Sequence, residues 1–169
     1  MVKRLLSVNP KIMLRSLLSN PKRLLLLLVG AVGLFLIYFF QHYLDFYSLL
    51  QFKAPQEIAY SSDFVAYDPF EFSLNKVLRY VLNDLFAMAI IAALFPDRKY
   101  LRFAVWVLLF GLFVLVPIYI VIYLSQPQGF SSLIGHLHRL VMNPVLMMLL
   151  IPAFFYQQSL FSSATRDSK

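Results

Sequence analysis

The sequence predicts an all-α membrane protein with four transmembrane helices arranged as two hairpins and both termini in the cytoplasm. Three observations lead there. The chain is 60% hydrophobic and 14% charged, where soluble domains are about half apolar and a quarter charged. Its apolar residues fall in blocks long enough to cross a bilayer. Its lysines and arginines gather in alternate connecting segments.

The first block, Leu24 to Phe40, is unbroken and close to the roughly 20 residues that a spanning helix needs. It follows a basic segment, 1-23, carrying Lys3, Arg4, Lys11, Arg15, Lys22 and Arg23 and no acid. The apolar core is longer than that of a secretory signal, and no small-x-small pattern lies between Phe39 and Tyr43. The block is therefore expected to stay as a helix rather than be cleaved away. Within 1-23, Leu5, Leu6, Ile12, Met13, Leu14, Leu17 and Leu18 mix with the cations, and Pro10 and Pro21 interrupt them. That pattern suits a helix lying in the cytoplasmic interface, or simply a topological anchor.

The second block runs from Val77 to Phe95 and the third from Phe103 to Leu124, with Pro117 inside it. The fourth runs from about Leu137 to Tyr156 and contains Pro144 and Pro152. Each of these prolines removes a backbone donor and favours a kink. The chain thus divides into the basic segment 1-23, a four-helix transmembrane domain 24-156 with an outer loop 41-76, and a cytoplasmic tail 157-169.

Charge orients the helices. Arg98, Lys99 and Arg102 lie between the second and third spans, and Arg166 and Lys169 follow the fourth. The loop after the first span has only Lys53 and Lys76 against Asp45, Glu57, Asp63, Asp68 and Glu71, and 125-138 has no lysine or arginine. Positive residues stay cytoplasmic, so 1-23, 96-102 and the tail are assigned inside and the other two loops outside. The formal charge of +7 is accounted for by topology and anionic lipid. It does not mark a nucleic-acid surface, since no soluble basic stripe interleaves with base-stacking aromatics.

Polar groups cluster at one depth. Arg79, Asn83 and Asp84 fall in the outer half of the second span, and His136, His138, Arg139 and Asn143 at the outer end of the fourth. Charge in lipid is costly, so such residues turn towards other helices or water. Arg79-x-x-x-Asn83 and Arg139-x-x-x-Asn143 have the same spacing, and residues four apart share a helix face. Met88 and Met148, Ile91 and Ile151, Ala93 and Ala153, and Phe95 and Phe155 extend the likeness, which raises an internal repeat. If the two faces meet, Asp84 pairs with Arg139 or Arg79; otherwise the arginines snorkel to headgroups.

The outer loop is aromatic, with Tyr43, Phe46, Tyr47, Phe52, Tyr60, Phe64, Tyr67, Phe70 and Phe72, a composition suited to the headgroup zone. Tyr67, Asp68, Pro69 and Phe70 read as a turn that brings the chain back to the membrane. This loop is a candidate docking surface, or a plug over the helices.

Catalytic signals are lacking. The chain has no cysteine, which excludes disulfides, thiolate metal sites and cysteine nucleophiles. His136-x-His138 is a poor metal pair on a helix, since residues two apart face different ways. With no HExxH, Gly-x-Ser-x-Gly or phosphate-cradling loop, no catalytic, metal or cofactor residue is assigned.

Tyr67-Asp-Pro-Phe70, Arg79-Tyr-Val-Leu-Asn83 with the following Ala89-Ile-Ile91, and Asn143-Pro144 through Ile151-Pro-Ala-Phe-Phe-Tyr-Gln157 together suggest a family. Over roughly Tyr67 to Gln157 the chain resembles the small exosortase F-associated membrane proteins and relatives associated with similar exosortases. Arg139 falls where that family tends to carry an arginine, while the basic amino terminus is less typical. The resemblance implies a bacterial inner-membrane protein and a partner, an exosortase-family transpeptidase that processes carboxy-terminal sorting signals. Those enzymes use cysteine, so a chain without cysteine is expected to be an accessory and not the enzyme.

Three functions compete. One is an accessory protein binding or stabilising the transpeptidase or its substrate. Another is a small transporter or channel subunit that attracts anions to its outer arginines. The third is a hydrolase built on an outer histidine. The topology common to all of them is directly testable: a reporter fused within 98-102 is expected to read as cytoplasmic and one within 125-138 as periplasmic, and the reverse result would overturn the orientation.

Overall fold

A computed structural model describes residues 17–41, 43–53, 68–125 and 131–167, with side chains of the last stretch placed from 132 to 158. Most of segment 1-23, His42 and Tyr67 lie outside the described residues. The elements are α1 (Pro21–Phe39), α2 (Phe46–Leu50), α3 (Pro69–Leu94), α4 (Arg98–Phe110), a π-helical turn (Gly111–Leu115), α5 (Val116–Ser125), α6 (Ser131–Met142) and α7 (Val145–Asp167). No strand occurs among the described residues. α1, α3 and the continuous run Arg98–Ser125 are each long and apolar enough to cross a membrane. α6 and α7 meet the same test only as a pair, bent by 61° at their junction.

α3 is the central helix and starts earlier than the apolar pattern suggests. The Asp68 carboxylate accepts the amides of Phe70 at 2.8 Å and Glu71 at 3.4 Å. It caps a helix whose first residue is Pro69. Asp68-Pro69-Phe70 is therefore a helix start and not a returning turn: the carboxylate satisfies donors with no partner inside the helix, and the fixed φ of proline suits that position. At 26 residues α3 is about 39 Å long, longer than the ~30 Å hydrocarbon core. Its first turns belong to the part of the chain that composition assigned to a loop.

α1 lies antiparallel on α3, with Gly30 beside Ile90, and Gln41, just past the end of α1, beside Arg79. The approach is close because two glycines face α3. A Cβ at Gly30 would stand 2.7 Å from the Phe86 carbonyl oxygen and 3.1 Å from the Ile90 nitrogen, and one at Gly33 would strike the Phe86 ring. Between lipid-solvated helices, tight packing of this kind replaces the hydrophobic drive that holds soluble helices together.

Pro117 leaves the third span unbroken but changes its winding. It offers no amide to the carbonyl of Phe113, and the turn just before it widens, with the Val116 amide bonded to the Gly111 carbonyl five residues back. This is a π-bulge with an identifiable cause. Gly111 sits against α3, where an added Cβ would collide with the Tyr80 hydroxyl, and that hydroxyl donates to the Leu108 carbonyl at 3.3 Å.

Two cores form along α3. Near its start, Phe72 stacks on Tyr123 with ring centroids 4.3 Å apart and packs with Tyr119, Ile134, Val141 and Met142. Near its end, Phe95 meets Tyr100, Phe154 and Phe155 at 4.9–5.4 Å, over Ala87, Ile91, Ala104 and Met147. The suggested repeat does not persist in backbone shape: α3 runs straight through Asn83 and Asp84, whereas Asn143 and Pro144 lie in the break between α6 and α7.

Gly30→Val places its branched carbon against the backbone of α3, which cannot yield, and is expected to destabilise the protein by about 1–3 kcal/mol. Gly135→Ala, in α6 with nothing within 4 Å of the new atom, is expected to be neutral or to stabilise by up to about 1 kcal/mol. Equilibrium unfolding of both variants in mixed micelles checks the contrast.

Candidate functional site

The polar residues of α3 form one buried face with Phe72 and Ala87, comprising Asn75, Lys76, Arg79, Tyr80, Asn83 and Asp84. Helical spacing produces it, since residues three and four apart stack in columns. One column, Asn75, Arg79 and Asn83, reaches the backbone or cap of a different segment at every step.

Asn75 holds α2. Its Oδ1 accepts the Tyr47 amide at 3.0 Å, and its Nδ2 donates at 3.0 Å to Asp45. Asp45 itself caps α2 by accepting the Ser48 amide at 3.1 Å. One turn further, Arg79 donates from Nη1 to the Gln41 carbonyl at 3.4 Å and from Nη2 to the Gln41 side-chain oxygen at 3.0 Å, gripping the chain where α1 ends.

Asn83, the next turn on, holds the broken helix. Its Nδ2 donates at 2.6 Å to the carbonyl of Met142, the last residue of α6. In a continuous helix the Leu146 amide would serve that carbonyl. Pro144 has no amide to offer Leu140, and the Val145 amide turns back to Asn143 at 2.7 Å. A new ladder starts with Met148 donating to Pro144 at 2.9 Å. Backbone groups left open at membrane depth need a protein partner, and the Asn83 amide is that partner for Met142.

The other candidates separate. Asp84 is buried one turn from Tyr80 on the same face of α3. It forms no ion pair with Arg79 or Arg139, although all three residues are described. Arg139 is exposed, as are His136 and Asn143. The two Arg/Asn faces therefore meet only where Asn83 touches the end of α6. Pairing fails because α3 presents Asn83, not Asp84, to α6, and Arg139 lies one turn before the break on the other side. His138 turns inward and shares a 2.7 Å hydrogen bond between Nδ1 and the buried Tyr119 hydroxyl. His136 bonds the Ser132 carbonyl in its own helix at 2.7 Å. The two histidines point apart, and the described residues contain no group of three metal-ligating side chains. Of the proposed docking motif, Asp68 and Pro69 start α3 and Phe70 stays exposed, edge-on to Tyr47 at 6.2 Å.

A groove of about 500 Å³ opens beside this column. Leu34, Ile37 and Tyr38 of α1 line one wall, and Met142 to Val145 with Met148 and Leu149 line the other. Arg79 and Asn83 supply its polar part, together with Asn143. Among the described residues no acidic one lines it.

Sequence reasoning missed Gln41, Asp45 and Asn75 as partners because 41-76 was read as a single loop. The available signal was Asp68-Pro69-x-Glu71, a helix-start pattern, followed by Phe72, Lys76, Arg79 and Asn83 in helical spacing. Compared with known proteins, the chain matches no family model, no curated protein and no solved structure.

Replacing Asn83 by Leu keeps the volume but leaves the Met142 carbonyl without its donor, an expected loss of about 1–3 kcal/mol. Asn83→Asp is expected to be at least as harmful, because a carboxylate oxygen would then face the carbonyl. Pro144→Ala restores a donor at the break and is expected to recover part of the loss in the Asn83→Leu background. A double-mutant cycle on unfolding free energies measures the coupling.

Proposed function

We propose that the chain is an accessory multi-pass protein of a bacterial inner membrane, working beside an exosortase-type transpeptidase and binding or stabilising the enzyme or its substrate. The observation behind the accessory role is how the polar residues are employed. Asn75, Arg79 and Asn83, the buried polar column of α3, each reach another segment of the same chain. Groups engaged in this way shape a binding surface and are poorly placed to act on a reacting bond.

The partner is inferred from the resemblance over Tyr67 to Gln157. The charge pattern supports the arrangement. With Arg98, Lys99 and Arg102 on the cytoplasmic side, the end of α3 that carries the polar column faces the periplasm, where exported proteins are processed. Phe103, Trp106, Phe110 and Phe113 leave the third span with an exposed aromatic face, available to lipid or to a partner helix. The alternative of a small transporter or channel subunit draws on Arg79 beside an open groove, but Arg139 is exposed and does not join it.

Purification of the tagged full chain from its own membrane in mild detergent is expected to bring down a cysteine-dependent membrane transpeptidase. A deletion strain is expected to mis-sort proteins with carboxy-terminal signals. Normal sorting with an unchanged level of the transpeptidase would overturn the reading, and anion flux through the purified chain in vesicles would favour the transporter.

A further inference from the structure

We propose that Arg98 and Arg102 hold the phosphate of one anionic phospholipid at the edge of the bilayer, with its glycerol and upper acyl chains along Trp106 and Phe113. The site lies on the outward face of the third span, away from the polar column of α3.

Helical spacing builds that face. Arg98, Arg102 and Trp106 recur at intervals of four and so stand in one column. Phe113, about two turns beyond Trp106, returns to the same side. Both arginines are exposed, and Trp106 and Phe113 are 66% and 71% exposed. The opposite face of α4 is committed to packing. Tyr100 and Ala104 are buried there, with Tyr100 against Phe95 and Phe154. The arginines therefore point away from the helix bundle.

Depth orders the same residues. The apolar run from Phe103 to Leu124 is about 33 Å long, close to the ~30 Å hydrocarbon core. Its first residue marks the edge of that core. Arg102 stands at the edge and Arg98 about 6 Å outside it, where phosphates reside. Trp106 lies about 6 Å inside Arg102, at the level where indole rings collect. Two guanidiniums followed by two aromatic rings match a phospholipid read from its phosphate towards its chains.

The charge of these arginines is open to a ligand. Asp97 is the one acid beside them, and it is engaged by Lys99. One of its oxygens accepts the Lys99 amide at 3.2 Å and the other pairs with the Lys99 ammonium at 3.6 Å. Among the described residues, no hydrogen bond or ion pair engages the side chain of Arg98 or Arg102. Segment 1-16 contains no acid. Glu57 and Asp63 belong to 54-67, which joins α3 at Asp68, the cap of its far end. That end is about 39 Å from the other, and a stretch of that length tied at both ends reaches about 25 Å at most.

An acidic protein segment or free phosphate would answer the arginines but leave the rings uncovered at membrane depth. A phospholipid covers both. Basic residues beside a span recognise anionic headgroups in this way. The proposal is independent of the transpeptidase, and failure of either reading leaves the other standing.

The test uses a natural reporter, since Trp106 is the only tryptophan of the chain. The full chain is reconstituted in phosphatidylcholine vesicles with increasing fractions of phosphatidylglycerol brominated near the top of its acyl chains, and bromine quenches an adjacent indole. Brominated phosphatidylcholine is the reference. Phosphatidylglycerol is expected to quench at lower fractions, with a preference of roughly fivefold for each arginine. Arg98→Gln and Arg102→Gln are each expected to remove about fivefold, and the double variant to erase the preference with an unchanged unfolding midpoint. Lys22→Gln, which alters an exposed cation at the start of α1, is expected to leave the preference intact. Equal quenching by both lipids in the unaltered chain would overturn the proposal, as would an unchanged preference in the double variant. An equal loss in Lys22→Gln would overturn it by showing a diffuse field instead of a site. Loss of the preference on adding inorganic phosphate at constant ionic strength would overturn it in favour of a free anion.

Discussion

A backbone that stops being helical inside a membrane must find hydrogen bonds elsewhere, and the 2.6 Å contact from Asn83 to the Met142 carbonyl is where this chain meets that demand. Pro144 has no amide and forces the fourth apolar block to break. The break exposes carbonyls, and a donor from another helix has to stand within reach. Asn83 does so because α3 passes the end of α6 at that level. The 61° bend between α6 and α7 therefore depends on an amide far away in sequence. The groove depends on the bend, since Met142 to Val145 form its wall.

The same logic runs along α3. Asn75 serves α2, Arg79 serves the end of α1 and Asn83 serves the end of α6, at intervals of one helical turn. In each case a helix terminus or cap elsewhere in the chain is completed by a side chain of α3. Helix ends carry backbone groups that the helix itself cannot satisfy. Below Asn83 the face turns apolar, with Ala87, Ile90 and Ile91 buried, and α1 approaches through Gly30 and Gly33. One helix thus fastens its neighbours by hydrogen bonds at one end and by close packing at the other.

Much of this was legible in the sequence and some was not, for separable reasons. The apolar blocks announced helices because hydrophobic length is a strong local signal, and α1 and the third span follow it closely. The start of α3 was obscured because Asn75 and Lys76 look like loop residues when burial is judged by type, yet they lie on the same face as Arg79. That Arg79, Asn83 and Asp84 share one helix was readable. Its partners were not. Spacing places Asn83 and Asp84 side by side but does not say which one a neighbouring helix will meet, and the answer turns on a rotation of about 100° per residue. The likeness of the two Arg-x-x-x-Asn segments misled for a related reason. Proline follows asparagine in one segment and aspartate follows it in the other, and that difference separates a broken helix from a straight one.

An ionisable residue within a membrane span is by default taken as functional, and α3 shows how that inference can be refined. Asn75 and Asn83 are fully explained by the segments they hold, because each is neutral and its amide is matched by a backbone or capping group. Arg79 is different in kind. Holding Gln41 requires hydrogen-bond donors but no charge, and a neutral amide could serve a carbonyl as Asn83 does for Met142. A guanidinium brings a full positive charge as well, and placing it at this depth is costly unless something gains from the charge. The charged member of the column also lines the groove.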